Sequence, residues 1–187
     1  MRVAFGHSDE QALAALRRIQ QRYSGLTYRS PLRGGQIVLE PVLAADPDMD
    51  RIEFWYAIMD ATPDGCSSGG LLPDGTVLFG LFDVDVPTFP SLDNFLECDA
   101  LLAFAGRQVL VSAESTTDLT GHLAMLRERH PTLHRMDRES GLCVEWWSDG
   151  QTLIFLTSLE ARLTPGFALT GPVPTTVKTW SLGVPRA

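Results

Sequence analysis

Gly65-Cys66-Ser67-Ser68-Gly69 carries the G-x-S-x-G pattern. In hydrolases that use it, a sharp strand-to-helix turn exposes the central serine while neighbouring amides hold an oxyanion. A strand is expected before it here, but Gly70-Leu71-Leu72-Pro73-Asp74-Gly75 leads into another turn rather than a helix. A Gly/Ser-rich hairpin loop over 64–70 is therefore the stronger expectation, and a hydrolase using Ser67 the alternative. Cys66, in the same loop, would need a nearby histidine to act as a thiolate nucleophile.

His122, His130 and His134 form the only histidine cluster, and all lie far along the chain from that loop. On a helix over 117–130, His122 and His130 fall about 40° to either side of Leu126. They flank an apolar stripe rather than sharing a zinc-binding face. Their spacing does not match H-E-x-x-H, and Glu128 is misplaced for that motif. No metal site is expected from them.

Asp46, Asp48 and Asp50 resemble the opening of a calcium loop, but Arg51 stands where the turn glycine belongs and Ala57 where the bidentate glutamate belongs. An EF-hand is excluded. Asp83 and Asp85 would share one side of a strand, where they could hold a metal, serve as an acid/base pair or, more commonly, mark its exit into solvent. Trp146 and Trp147 must face opposite sides of their strand. One is expected in the core, and the other, taken as Trp147, is a candidate interface anchor alongside Trp55.

The elements that would position these residues alternate between helix and strand. Met1–Gly6 reads as a strand. Ser8 and Gln11 form a capping box for a helix over 9–23, with Ala12, Leu16, Ile19 and Tyr23 at helical spacing and Gly25 as its stop. Strands are expected over 26–29, 36–43, 51–60 and 76–85, with Pro87 and Pro90 ending this section. Ser91–Glu97 reads as a short helix; 99–105 either extends that helix or, the preferred reading, forms a strand paired through Gly106-Arg107 with 108–114. A helix over 117–130 follows, then a hairpin, 142–147 with 151–157, around Ser148-Asp149-Gly150. A proline-bearing tail from 164 holds one more strand near 176–182.

Leu13-Ala-Ala-Leu16-Arg-Arg recurs as Leu123-Ala-Met-Leu126-Arg-Glu. This suggests two β-α-β-β halves, 1–86 and 107–187, forming one continuous sheet with helices on one side. The fold class expected is α+β: a largely antiparallel sheet of six or more strands with two or three helices in a single domain. Strands 51–60 and 76–85 are apolar on both faces, so either the sheet curls on itself or a partner, such as a second copy, covers what remains.

The chain has 187 residues, 44% of them apolar and 20% charged, enough for one globular domain with a substantial core. No apolar run approaches the ~20 residues of a bilayer span, and residues 1–11 lack the apolar stretch of a secretory signal. Three well-separated cysteines without a C-x-x-C pair fit a reducing compartment, so a cytoplasmic location is expected. Fourteen arginines against one lysine are attributed to a GC-rich genome.

The net charge of −8 is unevenly placed. Residues 40–106 hold thirteen acids and a single arginine, whereas residues 1–39 hold six arginines and two acids. Such a field repels nucleic acid and attracts basic partners, although a solvated acidic face explains it equally well. Glycine-rich phosphate loops and a basic groove are both lacking, so neither nucleotide nor nucleic-acid binding is expected. The expectation is a non-catalytic, inhibitor- or chaperone-type protein that binds a basic protein partner. Asp46, Asp48, Asp50, Trp55, Asp83, Asp85 and Trp147 are its candidate contacts, with no cofactor.

Overall fold

The computed structural model describes residues 10–46, 51–59, 67–72, 74–81, 84–164 and 171–183. The architecture is mixed α+β with antiparallel sheets. By its contacts the chain divides into two compact units, Met1–Pro87 and Thr88–Ala187.

In the first unit, helix α1 (Glu10–Tyr23) precedes six strands, β1 (Leu26–Arg29), β2 (Gln36–Asp46), β3 (Arg51–Met59), β4 (Ser67–Leu71), β5 (Val77–Leu81) and β6 (Val84–Phe89), the last two residues of β6 belonging to the second unit. These stand side by side in chain order. Gly25, at φ 82°, turns the chain out of α1, and its amide donates to Leu39 O at 3.1 Å. A left-handed residue of this kind is a common helix stop.

The Gly/Ser-rich segment is not simply a loop. Residues 67–71 form β4, in which Gly69 and Gly70 stand opposite Tyr56 and Trp55 in register with β3. On the other side β4 pairs with β5, Ser67 opposite Leu81. The expected single strand over 76–85 is two strands, β5 and β6. Pro87 lies inside β6 rather than ending it, which an edge strand tolerates because one row of its amides needs no sheet partner. Val77, Leu78 and Phe79 are all buried, so β5 is covered on both faces within the chain.

The second unit contains α2 (Leu92–Ala105), β7 (Val109–Thr116), α3 (Leu119–Arg129), β8 (His134–Arg135), β9 (Val144–Ser148), β10 (Thr152–Thr157), the single turn α4 (Leu159–Arg162) and β11 (Thr175–Ser181). Its five strands run in the order β7-β11-β10-β9-β8. Of the two readings of 99–105 the helical extension is the one found: these residues are the second half of α2, and the preferred hairpin strand is not formed. Ser91 caps that helix by accepting from the Asn94 amide at 3.2 Å. Leu92, Phe95, Cys98, Asp99 and Ala105 are buried along one face of α2, and Gly106 stops it. Ala100-Leu101-Leu102-Ala103 are good helix formers, and tertiary burial of that face completes the preference.

This sheet carries helices on both faces, not on one side as expected. Leu126 of α3 packs with Trp147, Ile154, Leu156 and Val177. Trp146, facing the other way, stacks with Trp180 (centroids 5.7 Å apart), tilts against Phe155 (4.8 Å) and donates from its indole to Cys98 Sγ of α2 at 3.3 Å. Period-two alternation of apolar residues on both sides of β9 and β10 requires cover on both sides. Leu13–Arg18 and Leu123–Glu128 both lie in helices, but the two sheets are ordered differently. In the second unit the last strand is inserted beside β7.

Candidate functional site

Trp147 is not an exposed anchor. It is 6% exposed beneath α3, with the Arg127 guanidinium 4.7 Å above its ring and its indole donating to Glu145 Oε2 at 3.0 Å. Both tryptophans of the pair belong to the core, one on each face of the sheet. Asp85 is exposed on β6. Asp46 ends β2 and Trp55 lies in β3, opposite Arg51 and Val42 respectively in register. Asp48, Asp50, Asp83 and Cys66 lie outside the described residues. Ser67 heads β4, and the next described element is strand β5, so the strand-to-helix elbow of the hydrolase motif is not formed.

The three histidines have separate neighbours. His130, at the C-terminal cap of α3, shares a 2.8 Å hydrogen bond with Asp149 Oδ2 in the β9–β10 turn. Asp149 Oδ1 accepts the amides of Gln151 and Thr152 at 2.9 and 2.7 Å. Desolvation works against the charged carboxylate, but the Gln151 amide, His130 and the Thr152 amide together outweigh it and hold Asp149 below its ordinary range. The pair fastens the end of α3 to the hairpin. His122 has its side chain 9% exposed and its Nε2 3.8 Å from Glu114 Oε1, too far for a hydrogen bond. His134 is exposed, with Nδ1 3.3 Å from Thr132 O. Among the described residues no three His, Cys, Asp or Glu side chains are placed to hold a metal ion.

Two other features of the second unit have the form of binding surfaces. The first is β7. It is eight residues long, lies at the sheet edge, and carries a single charge, Glu114. Leu110 is 43% exposed and Val111 64%, and Phe104 at the end of α2 is also exposed. Edge strands usually carry several charges, a proline or a bulge that blocks pairing. β7 has one of these devices: a bulge at Val111, which is left without a partner between Leu110, opposite Trp180 of β11, and Ser112, opposite Thr179.

The second feature is a cleft of about 310 Å³ at the N-terminal end of α3. Leu119 and Thr120 wall it from the helix, Glu145 and Leu156 from the sheet, and Ser158 and Arg162 from α4. Asp118 caps α3 by accepting from the Gly121 amide at 2.9 Å, which sets its charge against the positive end of the helix dipole. Arg162 donates from Nε to Ser158 Oγ at 3.0 Å. Glu145 accepts from the Trp147 indole and lies 3.9 Å from Arg135 Nε. Neither the His130–Asp149 pair nor the cleft is visible as a motif, because the pair is 19 residues apart, the cleft's lining is spread between Thr117 and Thr175, and only the packed sheet brings them together.

No protein-family model matches the chain, and comparisons with curated proteins and with solved structures also give no match.

Proposed function

We propose that the protein acts by binding another protein without chemistry, taking an extended segment of a basic partner along the outer edge of β7, which no strand among the described residues pairs with. The observation that carries this reading is the edge itself: eight residues of strand with Leu110 and Val111 exposed and one acid among them. A strand added there satisfies a row of backbone donors and acceptors, while alternate side chains give specificity. The net charge of −8, concentrated in residues 40–106, favours a basic partner by speeding encounter. Trp147 has no part in this surface.

Val111→Lys tests the reading, because a lysine on an edge strand opposes pairing while leaving an exposed position otherwise undisturbed. Host lysate is passed over immobilised wild type and variant at low and then high salt. The expected result is a stoichiometric basic protein on the wild type, released by salt and absent from the variant. The reading is wrong if nothing stoichiometric is captured, or if the variant captures the same protein equally well. Sedimentation of both proteins separates the other occupant: a wild-type dimer that Val111→Lys makes monomeric assigns the edge to a second copy of the chain.

A further inference from the structure

We infer that the cleft at the N-terminal end of α3 binds a small zwitterion, an α-amino acid with an aliphatic side chain. The inference is independent of β7. It rests on opposite charges that line one cavity and are each held by other groups. Arg162 is tied to Ser158 through Nε, which leaves the guanidinium ends for a carboxylate. Glu145 is fixed from behind by the Trp147 indole, with Arg135 at 3.9 Å. A carboxylate held at that position can accept an ammonium group. Among the described contacts Arg162 and Glu145 form no ion pair with each other, and with Asp118 at the helix cap the cleft presents one guanidinium and two carboxylates.

The remaining walls fit the rest of such a ligand. Leu119, Leu156 and Val173 supply an apolar lining, and the cavity volume of about 310 Å³ suits a molecule of amino-acid size. Thr175 and Ser158 also line it, their hydroxyls donating to Val173 O at 3.2 Å and Cys143 O at 3.5 Å. Binding sites of this kind join an apolar wall to a few placed polar groups that fix orientation.

L-Leucine, leucinamide and N-acetylleucine are the probes, titrated calorimetrically into the full chain. Leucinamide lacks the carboxylate and N-acetylleucine lacks the ammonium. The expected result is a binding heat with leucine alone, accompanied by a rise in melting temperature. Glu145→Gln keeps an oxygen to accept from the Trp147 indole but removes the charge. This change and Arg162→Gln should each weaken leucine binding about tenfold or more. Thermal unfolding without ligand shows whether each variant is folded, and the two probe analogues decide the question on the wild type even if a variant is not. The inference is overturned if leucine gives no heat, if either analogue binds as well as leucine, or if a folded variant at either charge leaves its affinity unchanged.

Discussion

Asp149 illustrates how one carboxylate can organise a turn. Both oxygens are engaged, one by two backbone amides and the other by His130. Because its folded pKa lies below the ordinary value near 3.8, the ionised form is favoured by folding. That contribution is complete above the unfolded pKa and is lost as pH falls through the folded one. Asp149→Asn should therefore lower stability at neutral pH and flatten the loss of stability below about pH 4, when wild type and variant are compared by urea unfolding across pH. Asp149→Ala, which removes the acceptor of an exposed and a half-buried amide, should cost about 0.5–1.5 kcal/mol. Equal acid sensitivity of wild type and Asp149→Asn would count against the clamp. The cysteines behave in the opposite sense. Burial pushes the Cys98 thiol up to about 12 and the Cys143 thiol up to about 11. At about pH 8 their thiolate fractions are on the order of one part in a thousand or less. In a Cys66→Ser background a disulfide reagent should find almost no reactive thiol until denaturant is added; rapid reaction in the native state would contradict the burial.

The elements of the second unit are locked by close backbone approach. Gly141 donates its amide to Val144 O at 2.6 Å, and the next amide, Leu142, donates to Thr88 O at 2.7 Å. A Cβ at 141 would fall 2.2 Å from that same Thr88 oxygen and 2.7 Å from Phe89 Cδ1. Neither neighbour can retreat without breaking a hydrogen bond or the Phe89–Phe95 contact, whose centroids are 5.5 Å apart. Gly141→Ala should lower unfolding stability by about 2 kcal/mol or more, read from the denaturant midpoint at unchanged slope. A change within error would mean that the segment can shift. At the opposite extreme, Val111→Lys on β7 should alter stability by no more than about 0.5 kcal/mol, since the side chain is 64% exposed. The two substitutions separate an element whose neighbours fill all the space from one with an open flank.

At the scale of the molecule, the second unit has its own core: the α3 side built on Leu126, Trp147, Ile154, Leu156 and Val177, and the α2 side built on Trp146, Phe155 and Trp180. Residues 88–187 expressed alone should fold cooperatively, with near-ultraviolet circular dichroism from the stacked tryptophans. A fragment with helical far-ultraviolet signal but no near-ultraviolet signal would show that this core cannot order itself. Among the described residues no helix is long and apolar enough to cross a membrane.

Local signals were enough for much of the chain. Helical spacing and a stopping glycine placed α1. The leucine stripe placed α3, and Ser148-Asp149-Gly150 marked the β9–β10 hairpin. Each of these depends on residues a few positions apart, and the α+β class with antiparallel strands follows from them. The reading failed where long-range burial decides between conformations that local preference leaves close in energy. Residues 99–105 are helix with Cys98, Asp99 and Ala105 buried along it and Cys98 against Trp146 of the sheet, and Gly69 and Gly70 entered a strand because β3 and β5 flank them. Which faces of a sheet are covered is likewise invisible to alternation alone, so Trp147 could be placed opposite Trp146 but not beneath a helix. The pairing of His130 with Asp149, and the gathering of Glu145, Ser158 and Arg162 around one cleft, depend on strand order. That order is chosen by the packing of the whole unit rather than by any neighbouring residues.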